Sequence, residues 1–199
     1  MKIAIIPARG GSTRIPGKNK RMFHGKPIIC YSIDTAKATG LFNQIIVSTD
    51  DPEIAAIAIA RGALAVYRDA DYCKNEVGTQ DVISNCVKQI TPMLQAQMGF
   101  TCGIYPTSPL MRPDDIQRGF RQLQENDKMN YAMSVGADPL RDAGQFYFGK
   151  TIAFYDRKPL LTAHTIMIPI SENNICDINT EDDFLRAEQM YEVLHHRAG

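Results

Sequence analysis

The sequence predicts an α/β fold, a three-layer α/β/α arrangement around a mostly parallel central sheet. Short apolar, β-branched runs alternate with helical segments along most of the chain. Several of those helical segments open on recognisable capping signatures. The 199 residues, 44% apolar and 22% charged, suit one ordinary globular domain spanning 1–199.

Each element has its own signal. Residues 3–7 (Ile-Ala-Ile-Ile-Pro) read as a buried strand. Residues 26–39 read as a helix, with Pro27 in its first turn and Gly40 as the stop. Residues 44–48, carrying Ile45, Ile46 and Val47, form the second strand. Asp51-Pro52-Glu53 supplies an N-cap, a first-turn proline and a first-turn acid for a helix running to Arg61-Gly62. Residues 63–67 give a third strand, followed by a polar loop over 68–78. A helix is predicted over 80–97 despite Pro92, and a strand over 101–105. Pro113-Asp114-Asp115 opens a helix whose apolar face carries Ile116, Phe120 and Leu123. Residues 131–135 form a strand, and 136–170 read as short strands and loops. Thr180-Glu181-Asp182-Asp183 resembles a capping box for a last helix ending near His195-His196-Arg197.

Composition excludes several classes. Lys plus Arg and Asp plus Glu both number 22, so the formal net charge is zero. A nucleic-acid-binding module would show a basic excess and an aromatic-basic platform. No apolar run reaches the ~20 residues of a membrane helix, and the first residues lack the pattern of a signal peptide. The five cysteines are scattered, with no C-x-x-C, as in a reducing compartment. The four histidines show no metal-ligand spacing. The expectation is a cytoplasmic protein without membrane or nucleic-acid partners.

In mostly parallel sheets, ligands bind beyond the carboxyl ends of the strands. The most informative stretch lies there: Pro7-Ala8-Arg9-Gly10-Gly11-Ser12-Thr13-Arg14-Ile15-Pro16-Gly17-Lys18-Asn19. Glycines let backbone amides approach an anion, Ser12 adds a hydroxyl, and Arg9, Arg14 and Lys18 add cations. Together they describe a triphosphate cradle; the plainer alternative is a glycine-rich connector with solvated charges. The loop is neither of the common phosphate motifs. Five residues separate Gly11 from Gly17-Lys18 where a P-loop needs four, and Gly10 and Gly11 are adjacent, unlike G-x-G-x-x-G.

The string resembles the P-A-R-G-G-S-K-R-I-P-G-K-N signature of the CMP-sialic-acid synthetase family, cytidylyltransferases that activate acidic sugars. Val47-Ser48-Thr49-Asp50, Thr107-Ser108-Pro109 and Asp177-Ile178-Asn179-Thr180-Glu181-Asp182 resemble later family segments in the same order. Ile104-Tyr105-Pro106-Thr107 and Asp142-Ala143-Gly144-Gln145-Phe146-Tyr147 resemble one branch, the pseudaminic acid cytidylyltransferases.

The resemblance implies a Rossmann-like, nucleotide-diphospho-sugar transferase-like fold. It also implies transfer of CMP from CTP to a nine-carbon acidic sugar, with Mg2+ as cofactor and a homodimeric assembly. Carried over by position, Ala8, Arg9, Gly10, Gly11, Ser12, Arg14, Lys18, Asn19, Arg68 and Thr79 would bind CTP. Among these, Arg9, Arg14 and Lys18 would be catalytic. Tyr105, Thr107 and Gln145 would line the sugar pocket, and Asp177 and Asn179 would hold the metal. Plainer readings stand beside some of these: a surface ion pair for Arg68, a core aromatic for Tyr105, a turn aspartate for Asp177. Alternatives of the same fold are a cytidylyltransferase for sialic, legionaminic or another acidic sugar, and a catalytically weak CTP binder.

Three departures mark this chain. Thr13 replaces the family lysine, Asn179 stands where sialic-acid enzymes carry a second acid, and the family's dimerisation arm is shortened around 136–150.

Overall fold

Nine strands and six helices are described by a computed structural model over residues 1–94, 97–137 and 141–196. They are β1 (Lys2–Pro7), β2 (Met22–Phe23), β3 (Lys26–Pro27), α1 (Ile29–Ala38), β4 (Gln44–Thr49), α2 (Pro52–Ala60), β5 (Leu64–Tyr67) and α3 (Thr79–Ile90). There follow β6 (Phe100–Ile104), α4 (Pro113–Gln124), β7 (Tyr131–Val135), β8 (Asp142–Lys150), α5 (Thr151–Tyr155), β9 (Thr165–Pro169) and α6 (Glu181–His196).

The central sheet has the order β5-β4-β1-β6-β8-β7-β9. Every neighbouring pair is parallel except the two made by β8, so one reversed strand is set into a parallel sheet. Strand order reverses direction at β1, the switch point where such sheets open a crevice. Alternation along β1 divides the core. Ala4 and Ile6 face α1, α2 and α4 through Ile33, Ile54 and Ile116, while Ile3 and Ile5 face α3 and α5 through Ile83 and Phe154. The expected three layers follow from that alternation.

The caps form as the sequence predicts. Asp51 accepts from the Glu53 and Ile54 amides at 2.8 and 3.2 Å. Thr180 and Asp183 exchange reciprocal bonds at the start of α6, with aspartate in the usual glutamate place.

Three expectations are corrected. The helix predicted over 26–39 begins only at Ile29, because Lys26–Pro27 pairs with Met22–Phe23 across a tight His24-Gly25 turn. Both turn residues have positive φ, 39° and 84°, which suits a two-residue hairpin. The helix predicted over 80–97 ends at Ile90, with Thr91 as its C-cap, directly before Pro92; residues 95 and 96 lie outside the described residues. The stretch 136–170, read as short strands and loops, contains the nine-residue β8, the longest described strand. Of the stretch 136–150, where a shortened arm is expected, residues 138–140 lie outside the described residues, as does Arg197 of the expected last-helix end.

β8 also sets a packing limit. A Cβ on Gly149 would lie 2.5 Å from the Tyr131 ring and 2.8 Å from Phe154, two buried rings in edge contact. Gly149→Ala should therefore destabilise the fold by about 1–3 kcal/mol through overpacking. Urea titration should show a lower midpoint at unchanged slope.

Candidate functional site

The carboxyl ends of β1, β4, β5 and β6 enclose an open cleft on the α3 side of the switch point. It is lined by Arg9, Ser12, Thr13, Arg14, Lys18 and Asn19 from the loop after β1. Arg68, Tyr72, Lys74 and Asn75 follow β5, Thr79 opens α3, and Tyr105 and Thr107 follow β6. The sheet thus gathers most of the residues singled out from sequence. The positive end of α3 meets the same space through Thr79, its first residue.

The loop is held by side-chain-to-backbone bonds. Asp50 Oδ1 accepts from the Gly10 amide at 2.8 Å. Asn19 donates its amide nitrogen to the Arg9 carbonyl at 2.9 Å, and Arg9 donates to the Cys73 carbonyl at 3.0 Å. A Cβ on Gly10 would sit 2.8 Å from Asp51, so only glycine fits there; Gly11 has open space around it. These bonds redistribute the predicted roles. Ala8 is fully buried with its amide on the Ser48 carbonyl. The Gly10 amide is committed to Asp50, so neither Ala8 nor Gly10 offers an amide to the cleft, whereas Ser12 lines it.

The cleft cations are unusual in their pairing. Arg68 is 3% exposed and donates to the Ser48 carbonyl at 2.8 Å. Among the described residues, no carboxylate lies within ion-pair distance of Arg9, Arg14, Lys18 or Arg68. By contrast, the adjacent Lys20 pairs with Asp51 and Glu53, and Arg21 with Glu181. Burial pulls the Lys18 ammonium below the usual lysine range; Asp177 opposes that, and Arg14 and Arg9 reinforce it. Burial likewise lowers Arg68. Such a site favours an anion that supplies the missing negative charge.

The far wall is phenolic. The Tyr105 hydroxyl lies 3.3 Å from Thr79 Oγ1 and 2.9 Å from the Tyr147 hydroxyl, which bonds Asp142. Burial raises both phenols above the usual tyrosine range. Gln145 is not brought into the cleft. It is 2% exposed and donates to the Asn174 carbonyl at 2.5 Å, because its place on β8 turns its side chain into the fold.

Asp177 and Asn179 sit beside the cleft on the segment leading into α6. Lys18 Nζ reaches the intervening Ile178 carbonyl at 2.5 Å, and Asn179 donates its amide nitrogen to Asp177 at 2.6 Å. Among the described residues, no three His, Cys, Asp or Glu side chains converge as a metal cage. Sequence reasoning missed Asp50, which anchors Gly10, and Tyr147 with Asp142, which stand behind Tyr105. The quoted V-S-T-D and D-A-G-Q-F-Y segments contained all three.

Residues 3–192 match the family model described as Cytidylyltransferase. The chain is 30% identical to the pseudaminic acid cytidylyltransferase of Campylobacter jejuni subsp. jejuni serotype O:2, covering 98% of both chains. That alignment spans 232 positions against 199 residues here, so the relative carries residues with no counterpart in this chain. The CMP-N,N'-diacetyllegionaminic acid synthase of Legionella pneumophila is 35% identical over 140 residues, 69% of this chain and 58% of that protein. Among solved structures, CMP:2-keto-3-deoxy-manno-octonic acid synthetase complexed with CTP superposes with a TM-score of 0.76. Its identity is 15%, over 97% of this chain and 99% of that one, a likeness of fold.

The α6 cap makes the Asp177 segment acid-sensitive. Bonds from the Thr180 hydroxyl, and from the Asn179 and Thr180 amides, hold the Asp183 carboxyl below the usual carboxylate range. A lowered folded-state pKa stabilises above the ordinary carboxylate range and is lost as pH falls through the folded value. Asp183→Ala should cost about 1 kcal/mol at neutral pH. The difference from the parent protein should vanish in thermal melts taken well below pH 4.

Proposed function

The chain belongs to the cytidylyltransferase family, and from that membership we propose that it transfers CMP from CTP to the anomeric hydroxyl of pseudaminic acid, releasing pyrophosphate. The protein is a nucleotidyltransferase, and CMP transfer to an acidic sugar is the activity its relatives support. The observation that carries the reading is a set of four cations at the switch point of the sheet, Arg9, Arg14, Lys18 and Arg68, that have no paired carboxylate among the described residues, while Lys74 at the rim pairs with Asp71. A triphosphate supplies the absent charge.

In this reading Arg9, Arg14 and Lys18 hold the phosphates, with the Ser12 hydroxyl as a further donor. The sugar oxygen attacks the α-phosphorus and the bond to the β-phosphate breaks, with pyrophosphate leaving. Catalysis is then positioning and charge neutralisation by groups already fixed in place. Arg68, on the floor beyond Arg9, faces the pyrimidine end with Asn19, whose bond to the Arg9 carbonyl keeps the loop in register. Tyr105 and Thr107 form the sugar side.

A divalent metal suits the donors present. Mg2+ is commonly held by one or two carboxylates, with phosphate oxygens and water completing the shell. Asp177 offers one carboxylate beside Lys18, and Asn179 orients it through their shared bond. When bound, Mg2+ would neutralise phosphate charge. The homodimer remains part of this reading, together with an arm shortened around 136–150. A cytoplasmic location, where CTP is made, belongs to the same reading; among the described residues no helix is long and apolar enough to cross a membrane.

A second reading, a weak CTP-binding protein, is favoured by one observation: Thr13 lines the cleft where the resemblance expects lysine. A coupled pyrophosphate assay over the four nucleoside triphosphates and a panel of acidic sugars separates the readings. Release is expected with CTP and pseudaminic acid, and not with sialic acid or Kdo. Equal turnover of all three sugars overturns the acceptor, while CTP binding without turnover favours the second reading. Lys18→Met should lower kcat about a hundredfold, and Thr13→Lys should raise it.

A further inference from the structure

Four side chains form a hydrogen-bonded line from the cleft wall, through the buried Tyr147, to the exposed start of β8: Thr79, Tyr105, Tyr147 and Asp142. Only Thr79 and Tyr105 line the cleft. Tyr147 is 5% exposed, and Asp142 is the first residue of β8.

Asp142 fixes the proton directions along this line. A carboxylate accepts and has no hydrogen to give. Tyr147 must therefore spend its single proton on Asp142. Its oxygen can then only accept, so Tyr105 spends its own proton on Tyr147. Thr79, facing a phenol whose proton is committed, must donate to it. An isolated tyrosine hydroxyl rotates to suit either partner; this one has been deprived of that choice.

We infer that Asp142, acting through Tyr147, makes Tyr105 an acceptor-only wall that takes a hydrogen-bond donor of the acceptor sugar. The donor is a hydroxyl or an amide N–H, and a carboxylate or phosphate at this position is rejected. The inference rests on the reading of the acceptor given above and adds to it which polarity of sugar substituent faces Tyr105. Asp142 and Tyr147 are positioning residues, since neither reaches the cleft. The geometry supports a fixed wall. The two phenol rings meet edge to face at 5.7 Å and 71°. The Tyr105 amide donates to the Gln145 carbonyl at 2.9 Å, and Ser32 donates to the Tyr105 carbonyl at 2.7 Å. A chain of bonds ending on a charge also strengthens each acceptor along it.

Tyr147→Phe keeps the ring and removes the acceptor for the Tyr105 proton. The KM for pseudaminic acid should rise about fivefold, with kcat and the KM for CTP within about twofold. The double variant Tyr105→Phe/Tyr147→Phe should be no worse than Tyr105→Phe alone. Asp142→Asn, whose amide oxygen still accepts, should keep the sugar KM within about twofold of the parent. An unchanged sugar KM in Tyr147→Phe, or an equal rise for CTP, overturns the inference. Absence of turnover with every acidic sugar sinks the functional reading by itself. The wall is then tested by hydroxyl-proton NMR on tyrosine-labelled protein. The Tyr105 signal should shift in Asp142→Ala, which leaves the Tyr147 proton without its acceptor although Asp142 and Tyr105 share no bond, and an unmoved signal overturns the inference.

Discussion

A guanidinium taken out of water without a carboxylate to meet it is costly, and Arg68 sits on the cleft floor in that state, 3% exposed. The Ser48 carbonyl and hydroxyl give it partial compensation. Lys18 shares the condition, with a backbone carbonyl for a partner and two guanidiniums acting against its charge. The burden is local, because the chain as a whole is neutral. Nearby acids are directed elsewhere: Asp51 and Glu53 to Lys20, Glu181 to Arg21, and Asp50 to a backbone amide. The cleft is thus kept electropositive by where its carboxylates are spent, and an anionic ligand that binds only the folded chain will stabilise it by mass action.

Holding those cations in place without neutralising them is a geometric problem. The solution is to tie the loop through its backbone. Asp50 grips the Gly10 amide, Asn19 grips the Arg9 carbonyl, and Arg9 reaches the Cys73 carbonyl across to the loop after β5. Each bond orders the chain while leaving cationic charge uncancelled. Gly10 is needed because the approach to Asp51 leaves no room for a Cβ. Gly11 has no such restriction, so the paired glycines of the motif have different physical reasons.

How far this was legible in the sequence depends on the range of the signal. The strands around the switch point, the Asp51 cap and the charged loop are local patterns, and they appear where expected. The His24-Gly25 turn was also a local signal, but Pro27 reads equally well as the first turn of a helix, and two-residue strands carry no periodicity. The reversal of β8 could not be read, because direction is set by the partner strand and not by the alternation along the strand itself. The misplacement of Gln145 follows from the same limit. Alternation gives two faces without saying which one the cleft occupies, and the left-handed Gly144, with φ of 62°, falls within that stretch. Asp50 and Tyr147 were missed because side-chain bonds between distant segments leave no trace in spacing.

The C-terminal segment is bound to the cleft by packing as well as by charge. Ile15, Phe23, Ile28 and Tyr31 form a small third core with Ile178, Phe184 and Ala187. Arg21 lies over the Phe184 ring while pairing with Glu181. Between the two ends of this contact, Lys18 bonds the Ile178 carbonyl, so the loop after β1 and the Asp177 segment are anchored to the same side chains. That arrangement fixes a relation the sheet alone does not supply: Asp177 arrives some 160 residues later in the chain than Lys18 yet is its strongest opposing charge. The hairpin β2–β3 accounts for it. By turning back at His24-Gly25 it presents Phe23 to Tyr191 and Phe184 of α6 at ring distances of 5.4 and 5.7 Å. The two-residue strands that broke the helical reading are therefore the support on which the acidic side of the site rests.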